Sequence, residues 1–269
     1  MAPRITGRAP SRPITGIARE SVHEGQDGRH NGGGTSGIGE VAAEKLAQMG
    51  ARIVLVARDK SRGEGTMARL RTRAPNLAHR VHYADLTRIS EMKRVATEIA
   101  ETEPRIDVLI NNAGAMFATR KLTEDGLEFT FALNHMAYFV VTQGLRERLV
   151  ASAPARVVST SSAASASLNF DDLQLTESFG AMKAYARSKL CNILFTRELA
   201  RRLHGTGVTA NCLHPGFVAT RFGDESGGLI SRFVGLAKLF GDLPSEGCGN
   251  DRLSCVFARD RRNNGPIFL

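Results

Sequence analysis

Cysteine is scarce in this sequence, and long apolar runs are absent. The chain has 269 residues and four cysteines, none of which belongs to a CxxC pair. Neither a zinc site nor a disulfide framework is therefore predicted, and we expect no bound metal and a reducing, cytoplasmic environment. No apolar stretch reaches the roughly 18–20 residues of a membrane-spanning helix, so we expect no transmembrane segment.

Acidic residues are outnumbered by basic ones. The chain has 36 Lys and Arg against 27 Asp and Glu, a formal net charge of +9. Such a charge could favour nucleic acid, an acidic membrane surface or a phosphorylated cofactor, or it could be a solvated basic surface. Because the sequence has no zinc finger, RNP-like aromatic pattern or dense basic helix, we expect no nucleic-acid partner.

Three segments of the chain differ in composition and in hydrophobic pattern. Residues 1–33 have no apolar periodicity, residues 34–240 alternate β-rich runs with amphipathic patterns, and residues 241–269 are polar and irregular. In the middle segment the patterns predict helices over 39–50, 89–102, 128–149 and 184–203, and strands over 52–57, 79–83, 107–110, 156–160 and 208–213. Strands that alternate with helices imply parallel crossovers, and therefore an open α/β sheet.

A glycine-rich turn precedes the first predicted helix, with the sequence Gly-Gly-Gly-Thr-Ser-Gly-Ile-Gly at 32–39. Glycines at such a turn let the backbone approach a pyrophosphate, although a flexible loop would also explain them. Arg58 follows the next strand, where arginine accommodates the 2′-phosphate of NADP and an acidic residue binds the 2′-hydroxyl of NAD. We therefore predict NADP. Asp59 keeps NAD open, and a surface pair of Arg58 with Asp59 is the alternative.

Two further motifs follow later strands. Asn-Asn-Ala-Gly at 111–114 indicates a ligand at a strand end, or else a simple turn. Downstream of Ser161 and Ser162, Tyr185 and Lys189 are four residues apart and share one helix face. A phenol with a pKa near 10 is a poor acid–base catalyst at neutral pH, and a neighbouring ammonium would lower that pKa. A serine hydroxyl could then hold the substrate oxygen.

In this order, over about 34–240, the motifs resemble the short-chain dehydrogenase/reductase family. They comprise a GTSGIG turn, NNAG, a serine before a YxxxK helix, and Pro215-Gly216 after the next strand. The stretches at 170–174 and 187–199 are most similar to its retinol-dehydrogenase-like branch. The resemblance implies a Rossmann-type doubly wound parallel sheet in a single domain. It also implies hydride transfer between NADP(H) and an alcohol or carbonyl carbon.

The family's catalytic tetrad carries over to Asn134, Ser162, Tyr185 and Lys189. The resemblance implies that Tyr185 is the general acid/base and that Ser162, with Ser161 as the neighbouring candidate, orients the substrate oxygen. Lys189 would lower the pKa of Tyr185 and bind the nicotinamide ribose, and Asn134 would anchor a water of the proton relay. The cofactor-binding residues implied in the same way are Gly33, Thr35, Ser36, Gly37, Ile38, Gly39, Arg58, Asp85, Leu86, Asn112, Ala113, Gly114, Tyr185, Lys189, Pro215, Gly216, Val218 and Thr220.

The substrate is expected to contact residues 217–240, which are rich in apolar side chains. An apolar lid over this range would suit a hydrophobic alcohol or carbonyl compound, although a helix that packs only on its own domain is the alternative. A retinoid or other lipid-like aldehyde follows from the resemblance alone. Many family members pair through helices that correspond to 128–149 and 184–203, so a homo-oligomer is compatible with the resemblance.

Both ends of the sequence depart from the family. Gly32 stands at the threonine of the TGxxxGxG motif, and the Gln-Asp-Gly-Arg-His-Asn before it cannot form a central strand. Read one nucleotide later, codons for 23–32 can encode Met-Lys-Gly-Lys-Thr-Val-Val-Ile-Thr-Gly, and codons for 241–268 can encode a family-like closing helix and strand. We therefore predict that both ends are out of frame and that the first and last strands are missing or corrupted. The alternatives are an organelle transit peptide in 1–22 and an inactive remnant with weak cofactor binding.

Overall fold

The structure, a computed structural model, describes residues 38–164 and 166–215. Its helices are α1 (Ile38–Gln48), α2 (Lys60–Arg73), α3 (Ile89–Thr102), α4 (Phe129–Phe131), α5 (Ala137–Ala151) and α6 (Ala181–Arg202). Its strands are β1 (Val54–Ala57), β2 (Arg80–Tyr83), β3 (Val108–Asn111), β4 (Ala155–Thr160) and β5 (Val208–Leu213). A π turn over Ala132–Met136 joins α4 to α5.

The strands pair in parallel in two groups. β1 pairs with β2, and β3, β4 and β5 form a second sheet in that order. Parallel neighbours need crossover connections, which α2, α5 and α6 supply. The α/β class predicted from the alternation is confirmed. Within the described ranges no strand pairs with both β1 and β3. The predicted loss of the first and last strands concerns residues outside those ranges.

Helices cover both faces of the strands. On β1, Val54 and Val56 pack into a cluster with residues of α3 and α5, whereas Leu55 packs into a second cluster with residues of α1 and α2. The side chains of β3 alternate in the same way, with Leu109 in the first cluster and Ile110 in the second. The two sheets therefore share both apolar cores, and the doubly wound arrangement is confirmed. Strands buried on both faces read as continuous apolar runs.

Helix α2 has no counterpart among the sequence-based predictions. It contains glycine and few apolar residues, and both features disfavour a helix. Its N-terminus is capped by Asp59, whose Oδ1 accepts a hydrogen bond from the Arg62 N–H at 2.8 Å. Met67 and Leu70 are buried in the second cluster. The cap and this burial stabilise a helix that propensity alone would not predict.

Candidate active site

The predicted site residues follow the carboxyl ends of the described strands. Arg58 comes after β1, Asp85 after β2, Asn112 after β3, Ser162 after β4 and Pro215 after β5. Within a parallel sheet these ends lie at one edge, and open α/β sheets bind ligands there. The topology therefore brings the motifs together at the edge where a dinucleotide would bind.

Tyr185 and Lys189 lie on the inner face of α6. Lys189 is only 3% exposed, and its Nζ lies 5.6 Å from the centre of the Tyr185 ring. The same Nζ donates a hydrogen bond to the Thr160 carbonyl oxygen at 3.0 Å. The amino group is thus held between the end of β4 and the phenol, because the helix spacing places both side chains on one face.

Burial shifts the pKa values of both groups. It lowers the pKa of Lys189 to about 7, and it raises the pKa of Tyr185, although a hydrogen bond with Ser162 acts in the opposite direction. Burial of the phenol therefore opposes the expected lowering of the Tyr185 pKa by Lys189, and that role of Lys189 stays a prediction. At a pKa near 7 about half of the Lys189 amino groups are neutral at pH 7, so the ammonium that should favour the phenolate is only partly present.

The two candidate serines have different partners. Ser161 is buried, and its Oγ donates to the Lys189 carbonyl oxygen at 3.1 Å. Ser162 hydrogen-bonds the Tyr185 side chain, and its Oγ also accepts from the Ala164 N–H at 3.1 Å. Ser161 therefore fixes the helix backbone, whereas Ser162 is the serine that meets the phenol.

Asn134 lies in the π turn and is fully buried. Its Oδ1 accepts from the Ala115 N–H at 2.8 Å, and its Nδ2 donates to the Ala115 carbonyl oxygen at 2.9 Å and to Ser188 Oγ at 3.0 Å. Both amide hydrogens are used, so the side chain could bind a water only as an acceptor. Its two bonds with Ala115 hold the segment that follows β3 against the helix.

Ser188 and Asn192 belong to this arrangement but are absent from the sequence-based site. Ser188 Oγ donates to the Tyr185 carbonyl oxygen at 2.7 Å. Asn192 Nδ2 donates to the Asn134 carbonyl oxygen at 2.9 Å. Both residues follow Tyr185 at helical spacing, three and seven positions on, so polar residues on the face of the catalytic motif were the signal that could have found them.

Gly114, in the segment after β3, lies close to two of the predicted catalytic side chains. A Cβ on Gly114 would lie 3.3 Å from Asn134 Oδ1 and 3.4 Å from Lys189 Nζ. Ala113 is buried, and its carbonyl oxygen accepts from the Tyr138 hydroxyl at 2.8 Å. The missing side chain at Gly114 therefore lets the backbone after β3 approach Asn134 and Lys189 closely.

Arg58 and Asp59 differ in what surrounds them. Arg58 is exposed at the end of β1, whereas Asp59 accepts from the Arg62 N–H and caps α2. The carboxylate is therefore used in the helix cap. Both side chains are exposed, but only that of Arg58 carries a positive charge at the position that faces the adenosine ribose in this fold.

Some of the other predicted cofactor-binding residues lie within the described ranges, and the rest lie outside them. Asp85 Oδ1 accepts from the N–H and the hydroxyl of Thr87, and Leu86 is buried. Asn112 Oδ1 accepts from the Thr160 hydroxyl at 3.0 Å. Ile38 and Gly39 open α1. The predicted residues outside the described ranges are Gly33, Thr35, Ser36, Gly37, Gly216, Val218 and Thr220, and the lid segment 217–240 lies there too.

Arg187 holds the loop that leads from β4 to α6. It is 7% exposed. Its Nε donates to the Ser167 carbonyl oxygen at 3.1 Å, and a terminal nitrogen donates to the Asp172 carbonyl oxygen at 2.8 Å. Arg187 lies between Tyr185 and Lys189 in sequence, so this loop is bound directly to the helix that carries them.

The described part of the chain contains neither a metal-binding cluster nor a membrane-spanning helix. No group of three or more His, Cys, Asp or Glu side chains there could hold a metal ion. No described helix has both the length and the apolar composition to cross a membrane.

Comparison with known families accounts for this arrangement. The short chain dehydrogenase family model matches residues 32–227. The chain belongs to the short-chain dehydrogenase/reductase family. Human retinol dehydrogenase 13 is 40% identical over 198 residues, which cover 72% of this chain and 60% of that protein. Mouse retinol dehydrogenase 12 is 39% identical over 230 residues, which cover 85% of this chain and 72% of that protein.

Solved structures agree with this family. A short-chain dehydrogenase of Sphingobium yanoikuyae in complex with NADPH aligns with a TM-score of 0.69 at 25% identity, covering 94% of this chain and 86% of that chain. The family and the retinol-dehydrogenase-like branch predicted from the motifs are confirmed. The chain spans about 60% of the length of human retinol dehydrogenases 13 and 14.

Proposed function

We propose that this chain is an NADP(H)-dependent oxidoreductase that interconverts an alcohol and a carbonyl group of a hydrophobic small molecule. The observation that carries the proposal is the side-chain hydrogen bond between Ser162 and Tyr185, with the buried Lys189 beside them. A proton donor, a second hydroxyl and an amino group converge at the edge where this fold binds its dinucleotide.

Tyr185 is the proposed general acid/base. Because burial raises its pKa, Tyr185 carries its proton at neutral pH, which suits it to donate that proton to a carbonyl oxygen during reduction. In the reverse direction it accepts the proton of the alcohol. Bound NADPH would supply the hydride.

The neighbouring groups have proposed roles of their own. Ser162 Oγ would hydrogen-bond the same substrate oxygen and hold it against the phenol. Lys189 would bind the nicotinamide ribose and, when charged, stabilise the phenolate that forms after proton transfer. Asn134, locked by Ala115 and Ser188, would keep the segment after β3 in place and accept a hydrogen bond from a relay water.

NADP rather than NAD is the proposed cofactor. Support comes from the exposed Arg58 at the end of β1 and from the use of the Asp59 carboxylate in the α2 cap. An arginine can neutralise a 2′-phosphate, whereas recognition of NAD needs a free acidic side chain for the 2′-hydroxyl. Relatives named retinol dehydrogenases make an apolar aldehyde such as retinal the proposed substrate class.

The test is NADPH oxidation by the purified chain with retinal and with a short aldehyde as alternative substrates. Tyr185→Phe removes only the hydroxyl and should abolish turnover while NADPH affinity stays largely intact. The matched control is Tyr83→Phe, because Tyr83 bonds Glu64 at 2.9 Å on the surface and has no proposed role. Full turnover by Tyr185→Phe would overturn the mechanism.

A second candidate function is an inactive remnant that binds cofactor weakly. The observation in its favour is that no strand within 38–164 and 166–215 pairs with both β1 and β3. Titration of the same preparation with NADPH separates the two candidates. Weak or absent binding without turnover of any aldehyde favours the remnant, whereas tight binding together with turnover that depends on Tyr185 favours the enzyme.

A further inference from the structure

Helix α6 contacts the π turn through two asparagines. Asn192 is fully buried, and its Nδ2 donates to the Asn134 carbonyl oxygen at 2.9 Å. On its other side, Asn192 Oδ1 lies 3.1 Å from His135 Nδ1. A π turn widens the helix, so its carbonyls no longer align with the usual donors four residues on. A side chain from the neighbouring helix can then reach such a carbonyl.

The chemistry of the pair sets the orientation of the Asn192 amide. Only the NH₂ group can donate to the Asn134 carbonyl, so Oδ1 must face His135, and His135 Nδ1 must carry a hydrogen. If the amide were flipped, Asn192 Oδ1 would face the Asn134 carbonyl oxygen, and the NH₂ group would face the N–H of His135. One buried amide therefore satisfies two neighbouring residues of the π turn, and both bonds depend on its orientation.

The contact continues into the site. The Asn134 side chain bonds Ala115 and Ser188, and Ser188 Oγ bonds the Tyr185 carbonyl oxygen. We propose that Asn192 is a positioning residue, which holds the π turn in the shape that keeps the Asn134 side chain against Ala115 and Ser188. The inference rests on the proposed function, since positioning matters only if the site catalyses. Asn192 itself acts through Asn134.

Two variants separate the effect of the Asn192 hydrogen bonds from the effect of its side-chain volume. Asn192→Asp keeps the shape and the acceptor for His135 but replaces the donor to the Asn134 carbonyl with an oxygen. Asn192→Leu keeps a similar volume without either bond. Because a displacement of about 1 Å at a site can lower the rate ~100-fold, we expect kcat to fall about 10- to 100-fold in both variants. KM for NADPH and for the aldehyde should stay near the wild-type values.

The matched control is Thr196→Val on the same buried helix face. Thr196 Oγ1 donates to the Asn192 carbonyl oxygen at 2.7 Å, so the variant removes a buried hydrogen bond of α6 without touching the π turn. It should lower the melting temperature while kcat stays unchanged. A loss of kcat in Thr196→Val equal to that in Asn192→Asp would reduce Asn192 to a general stabiliser of α6 and overturn the proposal.

Hydrogen exchange at the Ala115 amide provides a readout that does not need turnover. This amide donates to Asn134 Oδ1, so loosening of the π turn should speed its exchange roughly tenfold or more in both Asn192 variants and not in Thr196→Val. If the wild-type chain shows no turnover, the proposed function fails while the exchange data still decide the positioning role. The positioning role would be refuted if Asn192→Asp kept the wild-type kcat and the wild-type protection of the Ala115 amide from exchange.

Discussion

The buried amino group of Lys189 should make stability depend on pH in a way that one substitution removes. Burial lowers the pKa of Lys189 from 10.5 to about 7. Between these values the unfolded chain binds a proton that the folded chain does not, so the free energy of unfolding rises with pH. The dependence is at most about 1.4 kcal/mol per pH unit, and it vanishes below about pH 7, where both states are protonated.

The magnitude follows from the two pKa values. Raising the pH from 7 to 9 should stabilise the wild-type chain by about 2 kcal/mol through this group alone. Lys189→Met carries no titrating amine and should lack this contribution. The exposed Lys93 provides the control, because Lys93→Met removes the same charge from the surface of α3 and should leave the pH dependence as in the wild type.

Urea unfolding of the three proteins at several pH values measures the effect. The difference in unfolding free energy between the wild type and Lys189→Met should grow by about 2 kcal/mol from pH 7 to pH 9. The difference between the wild type and Lys93→Met should stay constant. Parallel curves for the wild type and Lys189→Met would show that the amino group is not desolvated, and the reasoning about its pKa would fail.

Three further predictions concern the cofactor. A methyl group at Gly114 would crowd Asn134 and Lys189, and such overpacking costs about 1–3 kcal/mol. Gly114→Ala should therefore weaken NADPH binding roughly tenfold in a fluorescence titration. Gly65→Ala is the control and should leave binding unchanged, because a Cβ there meets only Arg69 at 3.8 Å. Arg58→Asp should reduce the preference for NADPH over NADH roughly 10- to 100-fold, and unchanged selectivity, or an equal change in Arg71→Asp, would remove Arg58 from that role. A chain with both ends restored to the shifted reading frame should bind NADPH more tightly than the present chain, and coding nucleotides that forbid the shifted readings would end that hypothesis.

The elements with strong periodicity were predictable from sequence. Helix α3 and strand β5 begin and end at the predicted residues, because their apolar spacing is regular and polar residues or glycine flank them. Helix α2 was not predictable from periodicity, since its stability comes from a cap and from burial against β1. The predicted helix over 128–149 is interrupted by the π turn, which hydrogen-bonds α6 through Asn192, a contact far away in sequence that periodicity does not reveal.

The site was predictable in its residue types and less so in its electrostatics. The spacing of Tyr185 and Lys189 places them on one helix face, and the structure brings them together with Ser162. The direction of the Tyr185 pKa shift was not predictable, because it depends on how deeply both groups are buried. The roles of these residues stay predictions, as does the division of the chain at about residues 33 and 240.

The hydrogen bonds from Arg187 to the loop after β4 limit how that loop can be redesigned. Its guanidinium bonds backbone carbonyls at Ser167 and Asp172, so a grafted loop of different length would leave a buried cation without acceptors, at a cost of several kcal/mol. Phe170 lies between these anchors, and its side chain is 74% exposed. Variation confined to that tip leaves both anchors in place, so the loop should stay attached to α6.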